Sequence, residues 1–221
     1  MYTGPNIITN GLVLALDAAN NKSYSGSGTT WSDLSGNGNS GNLTNGPTFN
    51  SANGGSIVFD GTNDYVLTTT NTAFSTNPFS IDMWFKPSGS QPTNSTLICI
   101  AATAATTNWQ ISFNTNTLVF QAGSGIVGTS TYTALNSWVN FTVVRESTST
   151  DQTRFYINGN LDVSFTVTNN FTDVVGYRIG MNRGSNAFFG GNIANTKIYN
   201  KALPASEVLQ NYNAQKSRFN L

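Results

Sequence analysis

The sequence predicts an all-β fold, an antiparallel sandwich of two sheets with one short helix at the C-terminus, and three observations predict it. Val, Ile, Phe, Tyr and Thr recur in about a dozen short runs that alternate apolar with polar positions, the pattern of half-buried strands. Gly, Asn, Ser or Pro separates each run from the next. Helical spacing occurs only near the end of the chain. So many short strands in 221 residues, 38% hydrophobic and 12% aromatic, fit one domain around one substantial core. That domain is expected over residues 11–221, behind an N-terminal arm at residues 1–10.

The first strand is "LVLALDA". A polar excursion follows, from Leu34 to the strand "SIVFDG", made of little except Gly, Asn, Ser and Thr. It is longer than ordinary loops in compact domains, yet Asn45-Gly46-Pro47, Asn53-Gly54 and Gly61 are turn signals with backbone reasons. It therefore reads as a structured surface segment, pinned by Trp31 and Leu34 at one end and by "SIVF" at the other. Strands are then expected at "DYVLTT", "FSIDMWFKP", "TLICIAA", "WQISFNT", "TLVFQAG", "SWVNFTVVRE", "RFYINGN", "LDVSFTVT", "YRIGMN", "AFFGGNIA" and "TKIYNKAL". The strongest hairpin signal is Asn158-Gly159, two residues that accept the positive φ of a type I′ turn. In "LPASEVLQNYNAQ", Pro204 suits the first helical position, with Val208, Leu209 and Tyr212 on one face.

Charge is sparse: 10 Lys and Arg against 10 Asp and Glu, 9% in all and net zero, where soluble chains average about 25%. No basic excess exists to grip nucleic acid or an anionic membrane. Cys99, the only cysteine, sits among apolar neighbours as a small buried hydrophobe. The N-terminus lacks a basic region, and "LVLAL" is too short for a signal sequence or a membrane span. The expectation is a chain kept in the cytoplasm where it is made, or exported without a cleaved signal.

Six stretches in order, "GLVLALDAANN", "WSDLSGNGN", "SIVFDGTNDYV", "FSIDMWFKP", "WVNFTVVRE" through "RFYINGN", and "IGMNRGSNAFFGGNIANTKIYNKALPASEVLQNYNA", resemble the laminin-G-like jelly rolls of the concanavalin A-like lectin and glucanase superfamily. The resemblance runs from about Gly11 to Ala214 and implies a jelly-roll topology. The charge-poor, Asn/Thr/Ser-rich version looks most like domains of tailed-phage virion proteins. One departure stands out: relatives commonly carry acidic residues after the "G-x-I" of the penultimate strand, where this chain has Ala194-Asn195.

Glycoside hydrolysis needs a pair of carboxyl groups across the scissile bond, and the glucanases carry theirs as E-x-D-x-x-E on one strand. This chain has only Glu146 and Glu207, in separate elements, and no such pattern. It also has no histidine, which removes the usual general base and the commonest metal ligand. The expectation is a protein that is not an enzyme. Asp60, Asn63 and Asp64 in "DGTND" offer oxygens for calcium, which laminin-G-like relatives often bind; a hydrogen-bonded turn without metal explains the same residues.

Binding is the positive signal. The period-2 pleat puts Phe79, Ile81, Met83 and Phe85 on one side of "FSIDMWFKP" and Asp82 and Trp84 on the other. The same division sets Asn140 and Thr142, and then Arg154 and Tyr156, opposite apolar partners. If these strands share a sheet, Asp82, Trp84, Asn140, Thr142, Arg154 and Tyr156 line one carbohydrate-binding groove, with an aromatic face for a sugar ring and polar groups for its hydroxyls. The competing reading buries Trp84 under a neighbouring segment. Asn108, Trp109 and Asn182 to Asn186 are rim candidates. Two functional readings follow: a virion-surface decoration or adhesion protein, assembled in the host cytoplasm and meeting other virion proteins and host-surface glycan, or a carbohydrate-binding module of a secreted or cell-surface protein. A symmetric homo-oligomer is among the assemblies this allows.

Overall fold

The computed structural model describes residues 5–69, 74, 77–101, 108–123, 125–133, 135–150, 152–172 and 175–221. The first four residues of the expected N-terminal arm lie outside that part. In chain order the strands are β1 (Leu12–Asp17), β2 (Thr30–Trp31), β3 (Gly41–Thr44), β4 (Thr48–Asn50), β5 (Ser56–Asp60), β6 (Tyr65–Thr68), β7 (Phe79–Pro87) and β8 (Thr96–Ile100). They continue with β9 (Trp109–Asn114), β10 (Thr117–Ala122), β11 (Gly125–Thr129), β12 (Val139–Arg145), β13 (Thr153–Ile157), β14 (Asn160–Phe165), β15 (Tyr177–Ile179) and β16 (Gly190–Tyr199). Helix α1 (Ala205–Gln215) and a 3-10 turn at Lys216–Phe219 close the chain.

Two antiparallel eight-stranded sheets face each other, as a jelly-roll sandwich requires. The front sheet runs β14-β13-β12-β7-β16-β5-β4, with β1 also on β16; the back sheet runs β11-β10-β9-β8-β15-β6-β3-β2. β16 is the pivot of the front sheet. Its whole length pairs with β7, while β5 (on Gly190 to Ile193) and β1 (on Asn195 to Tyr199) share its other edge. A bulge at Ala194 marks the changeover, where its carbonyl accepts the Ala18 N–H at 3.0 Å.

The pleat behaves as the sequence predicts. Phe79, Ile81, Met83 and Phe85 are buried between the sheets with Phe141, Val143 and Phe155 from the front and Ile98, Ile111, Phe113 and Phe120 from the back. Each such side chain contributes about 1.5–3 kcal/mol by leaving water. The Asn158-Gly159 hairpin also forms, with φ of 50° and 77°. Helix α1 begins after Pro204 and buries Val208. Leu209, expected on the same buried face, is instead 42% exposed.

Four strands go beyond the sequence reading: β2, β3, β4 and β11. They are short and poor in apolar residues, so alternation gives no signal, and backbone pairing with a longer neighbour makes them strands. In β11 the small residue is itself the requirement, because a Cβ on Gly128 would stand 2.5 Å from the Phe165 ring. Trp31 does pin the polar excursion, fully buried, but Leu34 is 38% exposed and contributes its N–H, bonded to the Ala15 carbonyl at 2.8 Å. The runs "AFFGGNIA" and "TKIYNKAL" do not form two strands; their ordered core is the single strand β16.

Candidate functional site

The register of the front sheet brings five of the six groove residues into contact rows on its outer face. Thr142 stands between Asp82 and Tyr156, and Asn140 stands beside Trp84. β16 adds Lys197 beside Asp82 and Asn195 beside Trp84. Arg154 follows one row along, opposite Val144. The face is the expected one.

It is not an open groove. Helix α1 and the turn after it lie over the middle of this face. Trp84 stacks on Phe219 at a centroid distance of 4.2 Å and on Tyr212 at 5.7 Å, and it forms a small core with Ala194. Asp82, Trp84, Asn140 and Thr142 are fully buried and Tyr156 nearly so. The open carbohydrate groove over these positions is therefore corrected to a second, polar-floored core beneath the helix. Sequence periodicity could assign the face but could not show what covers it.

Most of the polar groups there are spent on one another, while Trp84 Nε1 and Asn140 Oδ1 are buried without a hydrogen-bond partner among the described residues. The Lys197 ammonium donates to Asp82 Oδ1 at 2.8 Å, Asn195 Oδ1 at 2.7 Å and Gln215 Oε1 at 3.0 Å, using its three protons. Asp82 Oδ2 accepts from Asn140 Nδ2 at 3.0 Å and Thr142 Oγ at 2.8 Å. Asn195 serves this network as an acceptor from Lys197 and as a donor to Gln215 Oε1 at 3.3 Å.

An open cleft of about 570 Å³ lies where the β13–β14 hairpin meets the N-terminal half of α1. Arg154 and Tyr156 line it together with Glu146, Asn160, Leu161 and Ser206, and Leu209 closes it from the helix. Arg154 pairs with Glu146, so the cleft wall carries no net charge from them. Burial pushes the Tyr156 phenol above its usual pKa, Arg154 opposes this and Glu146 adds to it, so the hydroxyl stays protonated at neutral pH. Leu161 and Leu209 are 57% and 42% exposed, an unusual amount of apolar surface at one place. Gly159 sets the approach of the two walls: a Cβ there would stand 3.0 Å from Leu209 Cδ1. The volume is that of a small-ligand site. Sequence reasoning missed Leu161, which alternation groups with Val163 and Phe165 and which only the bulge between Phe155 and Tyr156 brings opposite Tyr156; it missed Leu209 and Ser206 because they reach the cleft only through the packing of α1.

The rim candidates are structural. Trp109 is fully buried in the core, stacked on Phe120 at 6.2 Å. Asn108 accepts from Arg183, and Asn182 Oδ1 accepts the N–H groups of Asn186 and Ala187, so residues 182–187 form a self-bonded turn. In "DGTND", Asp60 Oδ1 accepts the N–H groups of Thr62, Asn63 and Asp64, and Asp64 Oδ2 accepts that of Asp60. The Asn63 carbonyl accepts from Asn45 Nδ2 at 2.9 Å. Burial raises the Asp64 pKa, with the Asp60 charge adding to it. Among the described residues no third acidic, Cys or His side chain joins these two carboxylates. One oxygen of each carboxylate, Asp60 Oδ1 and Asp64 Oδ2, thus closes the turn.

The sandwich resembles several solved structures. Domain 4 of AbnA, a GH43 extracellular arabinanase from Geobacillus stearothermophilus, solved with arabinotriose, superposes with a TM-score of 0.74 at 20% identity, covering 91% of this chain and 98% of that one. The binding domain of Botulinum neurotoxin DC, solved with SialylT, gives 0.70 at 17% identity, covering 94% of this chain and 52% of that one. Trypanosoma rangeli sialidase gives 0.69 at 15% identity, and this chain spans 34% of its length. At these identities the likeness is one of fold. No curated protein matches the sequence. The family pattern described as the concanavalin A-like lectin/glucanases superfamily matches residues 60–209, more than half of the chain, and the protein belongs to that laminin-G-like family.

Proposed function

We propose that this chain is a non-catalytic, lectin-like glycan-binding module whose site is the cleft between the β13–β14 hairpin and α1. One observation carries the reading: exposed Leu161 and Leu209 face the same 570 Å³ space as Arg154, Glu146, Asn160 and Ser206. Apolar patches pack on the C–H face of a sugar ring, and fixed polar groups take its hydroxyls. The complexes of the arabinanase domain with arabinotriose and of the toxin binding domain with SialylT support the class of ligand. Among the described residues Glu146 is the only carboxylate in the cleft wall, and Arg154 holds it. Glycoside cleavage requires two.

The test is a glycan array followed by titration calorimetry with the best ligand and with arabinotriose. Leu161→Asp should abolish binding and leave the melting temperature unchanged, since Leu161 is exposed. An array without ligand, binding indifferent to Leu161→Asp, or release of reducing ends from any bound glycan would overturn the proposal.

The setting we favour is the surface of a virus particle, as a decoration or adhesion protein. Its support is the sequence resemblance to phage virion domains and the neutral, amide-rich composition. The near-complete overlap with an arabinanase domain favours a module attached to a secreted or surface protein with similar weight. Peptides of this chain in purified particles would decide for the first.

A further inference from the structure

A second cleft opens at the other end of the same sheet face, beyond the turn that carries Phe219. Lys86 on β7 stands opposite Asn192 on β16, and Ser56 on β5 stands opposite Asn50 on β4. Asn53 and Trp138 complete a recess of about 100 Å³. Trp138 is held on two sides: its ring packs tilted against Phe219 at 4.6 Å, and its Nε1 donates to Asn53 Oδ1 at 3.2 Å. Asn53 in turn donates from Nδ2 to the Arg218 carbonyl at 3.0 Å, in a left-handed backbone conformation (φ 54°) that asparagine tolerates. Asn192 Nδ2 donates to Ser56 Oγ at 3.1 Å, which leaves its Oδ1 unspent, and Asn50 spends its Oδ1 on the Ala52 N–H.

The charge of this recess is unlike that of the larger cleft. The ion pairs among the described residues use Arg154, Lys197, Lys201 and Arg218, and none uses Lys86. Among the described residues no carboxylate lines the recess. An unpaired ammonium (Lys86), a free amide N–H₂ (Asn50), a free amide carbonyl (Asn192) and a partly exposed indole (Trp138) line the recess.

We infer that this recess is a second binding site, specific for the carboxylate-bearing edge of an acidic sugar. The ammonium and the Asn50 amide donate to the carboxylate, a charge-assisted contact stronger than one to a neutral acceptor. Asn192 Oδ1 accepts from a neighbouring hydroxyl, and the indole takes the ring's apolar face. The recess admits one edge of one ring rather than a chain. The larger cleft, with Arg154 already paired, has no such preference, and the two sites stand or fall separately.

The test uses the whole chain and D-glucuronate, with glucose and acetate as controls, followed by chemical-shift changes of the tryptophan indole protons. Glucuronate should bind with a dissociation constant on the order of 1 mM, as expected for a ligand of this size. Neither glucose nor acetate should bind as well. Lys86→Gln should weaken glucuronate at least about tenfold while Leu161→Asp leaves it unchanged, and added salt should weaken it in the native protein. Equal binding of acetate, equal binding of glucose, no binding of glucuronate, or binding that survives Lys86→Gln would each overturn the inference. Lys86 is partly exposed and unpaired, so the substitution leaves folding intact, and a melting curve verifies that.

Discussion

Lys197 and Asp82 form an ion pair 2.8 Å long with side chains 3% and 0% exposed, and Gln215 of α1 shares the same ammonium. Sheet and helix are thus joined at one desolvated charge. Removing a single member strands the other in a dry site. Lys197→Met should cost roughly 3–5 kcal/mol, and Asp82→Leu with Lys197→Met should recover much of that, because an apolar pair of similar volume avoids desolvation altogether. Urea unfolding of the single and double variants measures both. A loss below about 0.5 kcal/mol for Lys197→Met would mean that water reaches the pair.

Trp84 is a core residue by its contacts, so Trp84→Ala should destabilise by roughly 3–5 kcal/mol, as large-to-small changes in packed interiors do. Phe85→Ala, on the opposite side of the strand, is the internal standard. The two variants should melt within a few degrees of each other. A Trp84→Ala protein as stable as the native one would show that α1 leaves the indole accessible in solution.

The "DGTND" turn should be indifferent to calcium. A ligand that binds only the folded state raises stability by mass action, so an ion held by Asp60 and Asp64 would lower the melting temperature when chelated. Because one oxygen of each carboxylate already accepts backbone N–H groups within the turn, chelator should cause no shift. Asp60→Asn, which keeps an acceptor at Oδ1, should change stability little.

Cys99 is fully buried, donates to the Met181 carbonyl at 3.2 Å, and has its pKa pushed up by burial to about 12, with Arg178 and Arg183 opposing only in part. The thiolate is the reactive form. A thiol reagent at pH 8 should leave native protein unlabelled and label it fully in denaturant. Fast labelling of the native chain would show that β8 opens.

The two sheets, the hairpin at Asn158-Gly159 and the inward faces of β7, β12 and β13 were legible because alternation is a local property and reports directly which face of a strand is apolar. The outer face was only half legible. Its membership followed from the pleat, but whether Trp84 met sugar or protein depended on Phe219, some 130 residues away in sequence, and no periodicity spans that distance. The candidate cleft was legible at Arg154 and Tyr156 and hidden at Leu209, which looked like a core position of an amphipathic helix. Trp109 misled for the opposite reason: it begins a strand, so it looked like a rim residue, and the strand begins inside the core.

The sharing of one β16 edge between β1 and β5 has a practical bearing on how this protein is cut and joined. The stretch by which the family is recognised, residues 60–209, contains neither β1 nor the segment bearing Gln215, Arg218 and Phe219. A fragment trimmed to it would bare the amides of Asn195 to Tyr199 along an unpaired edge and leave the Trp84 indole without its stacking partner, two surfaces that invite aggregation. Arg218 also ties the tail to Asp17 at 2.9 Å, binding opposite ends of the chain together. The stretch by which the family is recognised is shorter than the unit that packs together, and a graft of this domain onto another protein should carry the chain from the start of β1 through Phe219.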